Sequence, residues 1–145
     1  MIDTVVIATD GSESVQRAVA TALDLARRFD ATVHALYVVD TTEVDASPEE
    51  LRADLQTALE RSGEDALENL QERSSGDIVT AVREGNPASE ISAYAREHDA
   101  DVVATGTRGR HGEHRFLLGS VAERIVRTCP VPVLTVRQLD GEAAA

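Results

Sequence analysis

The sequence predicts one α/β domain built on a parallel sheet, and three observations point there. Five short strand-like runs, Val5 to Thr9, Val33 to Val39, Ile78 to Arg83, Val102 to Thr105 and Val133 to Arg137, alternate with four helical stretches. Strands separated by helices cross over the sheet and lie parallel. A chain of 145 residues with 42% hydrophobic content is long enough to bury a real core, and its periodicity argues against disorder. No internal repeat, low-complexity block or interdomain linker interrupts it. Residues 1–145 are therefore expected to form a single domain, with its core at about 4–137 and a frayed tail at 138–145.

Each element has a local reason. The first helix sets Val15, Val19, Ala22, Leu23 and Ala26 at three- and four-residue steps, with Asp10 and Glu13 three positions apart as a candidate capping box, and it ends near Phe29. Asp40 to Ser47 is polar enough to be a mobile loop. The second helix opens on Ser47-Pro48-Glu49-Glu50, a cap followed by a first-turn proline and acids. It continues through Leu51, Leu55, Leu59, Ala66, Leu67 and Leu70 to Ser74-Ser75-Gly76, with Gly63 placed to bend or loosen it. Gly85 supplies a turn, and Asn86-Pro87 announces a third helix with Ile91, Tyr94 and Ala95 on one face. Val102, Val103 and Ala104 read as a buried strand, and Val121, Ala122, Ile125 and Val126 give helical spacing behind Gly119. Pro132, within the last strand, places that strand at a sheet edge, where a missing N–H costs no ladder bond and an exposed edge invites a partner.

Composition excludes several classes of function. All 14 basic residues are arginine, which removes a Walker A phosphate loop, a Schiff-base lysine and a kinase-type ion pair. Against them stand 26 acids and a formal net charge of −12, so nucleic acid and anionic membranes would be repelled at long range. This acid-rich, lysine-free balance looks like that of proteins from salt-loving organisms, where a short Debye length screens self-repulsion. No run approaches the ~20 apolar residues of a membrane span. Met1-Ile2-Asp3-Thr4 leads into a strand without a basic signal-peptide head, so a cytoplasmic location is expected. Cys129 is expected to be a free, buried thiol in a reducing compartment.

The strongest functional signal is Gly106-Thr107-Arg108-Gly109, then nine residues, then Gly119-Ser120, a G-x2-G-x9-G-[ST] pattern joining a strand end to a helix start. A helix N-terminus offers unpaired N–H groups and the positive end of the dipole to an anion. Glycines let main chain approach oxygen atoms without a Cβ in the way, and Ser120 adds a hydroxyl. Read singly, Gly106 and Gly109 only permit a turn and Ser120 only caps its helix; together they describe a phosphate cradle. Arg108, Arg110, His111, His114 and Arg115 reverse the local charge, which favours an anionic ligand.

This pattern, with Val6-Ile7-Ala8-Thr9-Asp10-Gly11-Ser12 at the start, resembles the universal stress protein family in the branch that keeps the nucleotide-binding glycines. The resemblance spans about Thr4 to Arg137. It implies a doubly wound five-stranded parallel sheet of order 3-2-1-4-5 with helices on both faces, of the adenine nucleotide alpha hydrolase-like kind. It also implies homodimers paired through the last strand, Val133 to Arg137. In such sheets ligands sit beyond the strand ends where the order reverses, here between the first and fourth strands. By resemblance, Gly106, Gly109, Gly119, Ser120 and Val121 would hold the ribose and phosphates of ATP or another adenine nucleotide. Ala8, Thr9 and Thr105 would line the slot, and the end of the second strand near Val38 would offer backbone groups to adenine. Asp10 has two compatible readings, a contact to the nucleoside or a phosphate-bound Mg²⁺ and a helix cap. Arg108 either touches phosphate or is solvated.

Other residues carry less. His111 and His114 have no Cys or further His to complete a zinc set. His34 reads as a satisfied core histidine and His98 as a helix-end charge, and Ser12 and Ser14 follow no nucleophile elbow. The leading expectation is a small ATP-binding homodimer that couples nucleotide occupancy to a stress-response or regulatory role, with no catalytic residue and at most slow hydrolysis. The alternatives are a dimeric interaction module of the same fold that binds no nucleotide, and a slow ATPase.

Overall fold

The computed structural model describes residues 1–74, 76–107 and 119–138. Strands β1 (Thr4–Ala8), β2 (Thr32–Asp40), β3 (Ile78–Gly85), β4 (Val102–Gly106) and β5 (Val133–Val136) form one sheet in the order β3-β2-β1-β4-β5. Every neighbouring pair is parallel. Helices α1 (Gln16–Phe29), α2 (Thr41–Asp45), α3 (Arg52–Arg73), α4 (Pro87–Glu97) and α5 (Ser120–Thr128) surround it, with 3-10 turns at Glu13–Val15 and Glu49–Leu51. The fold is the doubly wound sheet that the sequence implied, and no helix among the described residues is long and apolar enough to cross a membrane.

Successive strand residues point to opposite faces, and both faces are covered, which is why β1 is buried from Val5 to Ala8. Val5 and Ile7 pack with Val19, Ala22 and Ala26 of α1 and Leu59, Leu67 and Leu70 of α3. Val6 and Ala8 pack on the other side with Ile91, Tyr94 and Ala95 of α4 and Ile125 of α5. Local signals set the ends. Asn86 caps α4 through Oδ1, which accepts from the Ser89 N–H at 3.1 Å, and Pro87 follows at the first helical position.

Several expectations are corrected. The polar stretch after β2 is the helix α2, because Asp40 Oδ1 accepts from the Thr42 and Glu43 N–H groups at 3.0 and 3.3 Å and caps it. Asp10 does not form a capping box at α1. Gly11 turns the chain at φ +78, and Asp10 Oδ1 instead accepts from Ser12 N–H at 2.9 Å and Ser12 Oγ–H at 2.6 Å. Gly63 lies inside α3, which runs without a break from Arg52 to Arg73, and is buried under the Tyr37 ring, where a Cβ would lie 2.3 Å from Cδ2.

Leu51 falls in the 3-10 turn ahead of α3 and is 52% exposed rather than part of its buried face. Cys129 is free but only half-buried, at the C-cap of α5. Pro132 precedes β5 rather than interrupting it, and its carbonyl accepts from Val103 N–H at 2.9 Å; β5 is nonetheless an edge strand. The Gln138 side-chain oxygen accepts from Arg17 N–H at 3.0 Å. The rest of the expected tail, residues 139–145, lies outside the described residues.

Candidate functional site

Where the strand order reverses, β1 and β4 part company. Their register runs Val5↔Val102, Val6↔Val103 and Ile7↔Ala104 and goes no further. On its other side β1 stays paired with β2 through Ala8↔Leu36, and Thr9 N–H still donates to Leu36 O at 3.0 Å. The last residues of β1 and β4, Ala8, Thr105 and Gly106, therefore border an opening at the carboxyl edge of the sheet, with Thr9 just beyond. Ala8, Thr9, Thr105 and Gly106 are all buried. This is the crevice in which doubly wound sheets take ligands.

The wall on the β1 side is a tight turn. Thr9 Oγ1 accepts from Gly11 N–H at 3.1 Å, and the Asp10 carboxylate holds Ser12 as described above. Gly11 is needed for its positive φ and for closeness to α3, since a Cβ there would lie 3.2 Å from the Ala66 Cβ. Asp10 is thus oriented by its own turn and carries a carboxylate at the mouth of the crevice.

The wall on the β4 side is the start of α5. Gly119 is the N-cap, and Ser120 and Val121 are the first helical residues. A glycine has no side chain to cap with, so the opening N–H groups of α5 are left to whatever lies before the helix. Gly119 N–H donates to Thr107 O at 2.6 Å, which ties the helix start to the end of β4. Ile125, 0% exposed, anchors α5 in the core shared with α4 and β4, and Ala122 is buried at 5% exposure. Ser120 and Val121 are exposed.

Val38 lies two residues past Leu36 on β2, beyond the end of β1, half-buried on the α4 side. The structure thus gathers Ala8, Thr9, Asp10, Thr105, Gly106, Gly119, Ser120 and Val121 around the opening, with Val38 on its flank. Arg108 and Gly109 lie outside the described residues, as do Arg110, His111, His114 and Arg115. Two features among the described residues fit an anionic, phosphate-bearing group: a helix start whose N-cap glycine offers no side chain, and main chain free of Cβ at Gly106 and Gly119. The Asp10 carboxylate suits a cation carried with such a group rather than the phosphate itself.

Sequence reasoning missed two features. The Thr107 carbonyl that holds Gly119 carries no side-chain signal. A cleft of about 610 Å³ also runs from Thr9 and Gly11 between α1 and α3, past Gln16, Ser62 and Arg73. Its only sequence hint was small residues, Gly11 and Ala66, recurring where the two segments approach.

The sequence profile of the universal stress protein family matches residues 1–137. Universal stress protein MJ0531 of Methanocaldococcus jannaschii is 38% identical over 138 residues, covering 92% of this chain and 81% of that protein. Among solved structures, the universal stress protein UspA from Lactobacillus plantarum superposes with a TM-score of 0.77 at 27% identity, over 94% of this chain and 98% of that one. A universal stress protein crystallised in complex with cAMP superposes with a TM-score of 0.68 at 25% identity, over 95% and 98%. With the profile spanning all five strands and a relative above one-third identity, the chain belongs to the universal stress protein family.

Proposed function

We propose that this chain binds an adenine nucleotide in the crevice between β1 and β4, as ATP with Mg²⁺, and that occupancy sets its conformation or its choice of partner. The observation that carries the reading is the meeting of the diverging β1 and β4 ends with the glycine-capped start of α5 tied to Thr107. The family member solved with cAMP supports the adenylate class. In this reading Gly106, Gly109, Gly119, Ser120 and Val121 hold ribose and phosphates, with Arg108 approaching a phosphate. Ala8, Thr9 and Thr105 line the slot, the Val38 backbone meets adenine, and Asp10 faces the nucleoside or its Mg²⁺.

The protein acts as a single-domain cytoplasmic homodimer joined through β5, an edge strand beside a helix that exposes Val121 and Val126 at 37% and 49%. Its role is binding, with at most slow hydrolysis: phosphoryl transfer needs charge neutralisation and an oriented nucleophile, and the sequence offers arginines and Asp10 but no clear water-positioning group.

Calorimetric titration of nucleotide-free protein with Mg-ATP, AMP and cAMP at molar salt, with GTP as control, tests the reading. Saturable adenylate binding near one per subunit supports it; silence from every nucleotide in a folded dimer favours the interaction module instead. Gly119→Val places a branched side chain at the cradle while the backbone there, φ −67 and ψ 161, is open to any residue. We expect it to remove ATP binding and leave the circular dichroism spectrum unchanged. Unaltered affinity would overturn the assignment of this loop.

A further inference from the structure

On the α4 side of the sheet, two histidines meet around one tyrosine. His34 from β2 and His98 at the C-cap of α4 have ring centroids 4.9 Å apart. Tyr94 touches both: its hydroxyl is 2.7 Å from His34 Nδ1, and its ring lies 4.1 Å from that of His98, centroid to centroid. Tyr94 is buried, His34 half-buried and His98 exposed. Arg83 of β3 covers the tyrosine, with its guanidinium carbon 4.9 Å from the ring centroid. Its nitrogens lie 2.7 and 3.1 Å from the Glu97 carboxylate, and 3.9 Å from that of Glu90.

We propose that this cluster is an acid-sensitive latch, holding the C-terminal half of α4 on β2 while the His34 imidazole is neutral and releasing it when that ring takes up a proton. The surroundings of His34 offer an imidazolium little. Its register partners on β1 and β3 are Val6 and Val79, both apolar. Further along β3 stands Arg83, already positive. From α4 come Tyr94, His98, Glu97 and Glu90, and the two carboxylates are turned to Arg83. Through Nδ1 an imidazolium can only donate to the Tyr94 hydroxyl, and burial holds that phenol in its neutral form by raising its proton affinity.

The direction of the pH effect follows from the same geometry. Burial first, and then the charge of His98, push the His34 proton affinity below its ordinary value of 6.5. The unfolded chain therefore takes up a proton that the folded one refuses, so the latch is at full strength above about 6.5 and weakens as pH falls from there toward the folded value. Glu97 is held below its ordinary 4.5, chiefly by the Arg83 hydrogen bond, and stays ionised through that window. Its loss at still lower pH is a separate event. Because Ile91 of α4 and Ile125 of α5 share one core, loosening of α4 would reach the helix that begins at the crevice.

Hydrogen exchange of the full chain near pH 8 and near pH 5, corrected for intrinsic rates, reads the latch directly. We expect the amides of Tyr94 to His98 to lose protection several-fold at the lower pH in the parent protein, and to respond much less in His34→Gln. Should that variant fail to fold, His98→Gln replaces a solvent-exposed ring that lies against Tyr94 but fills no core position, and in it the His34 imidazole resonance should titrate at a higher pH than in the parent. An α4 response as large in His34→Gln as in the parent, or a His34 midpoint indifferent to His98→Gln, would overturn the proposal.

Discussion

Tyr37 is 1% exposed and lies in the core between β2 and α3, and its ring occupies the space that any side chain at position 63 would need. In an open helix, Gly→Ala would be stabilising by about 1 kcal/mol. Here the Cβ would meet ring atoms at 2.3 to 2.8 Å, and a packed interior leaves the ring nowhere to go. Overpacking of this kind costs about 1–3 kcal/mol, which exceeds the propensity gain. Gly63→Ala should therefore lower the melting temperature despite the better helix former, and a higher melting temperature in thermal denaturation would show that Tyr37 can shift. The sequence shows a glycine in a helical stretch and suggests weakness. Only the fold reveals a contact, because Tyr37 and Gly63 meet through the return of the chain from β2 to α3 and not through any local pattern.

At the level of elements, strands and major helices were legible because burial on both faces makes the central strands β1 and β4 almost continuously apolar, while α1, α3 and α4 each keep one apolar stripe. The strand order was not legible from periodicity and came from family resemblance. The small helix α2 escaped because polarity was read as looseness, although Asp40 followed by Glu43 at three residues is a helix-start spacing. Much of the crevice was legible too, since Ala8, Thr105 and Gly106 end apolar runs. The Thr107–Gly119 bond was not, being a main-chain contact that side-chain identities do not encode. The capping role of Asp40 predicts a local effect. Asp40→Ala removes the acceptor of two α2 N–H groups, a loss of about 1 kcal/mol. Exchange protection at Thr42 to Asp45 should fall while that of β1 and β4 is kept, because Val44 alone buries α2 in the core. Unchanged protection across α2 would mean that Val44 packing, and not the cap, holds the helix.

Across the whole molecule, a formal net charge of −12 sets a repulsion that packing must overcome. Part of it lies along α3, where Glu60, Glu64, Glu68 and Glu72 follow one another at four-residue steps and are all exposed. Like charges at that spacing destabilise a helix by about 0.2–0.5 kcal/mol per pair. The helix persists because Leu59, Leu67 and Leu70 bury its other face. Screening should relieve the strain: the Debye length falls from about 10 Å at 0.1 M salt to about 3 Å at 1 M. The melting temperature of the parent protein should thus rise over that range of sodium chloride. Exposed ion pairs such as Arg28 with Asp24 and Arg127 with Glu123 weaken at the same time, but such pairs contribute little. Glu64 has a like charge four residues away on each side and one opposite charge, Arg61, three residues before it, so Glu64→Gln removes two repulsions and one attraction. That variant should be more stable than the parent at low salt, by about 0.2–0.5 kcal/mol, and the gain should shrink toward zero at molar salt. A gain of equal size at both salts would assign the effect to side-chain propensity instead, and would leave the acidic surface without a role in salt-dependent stability.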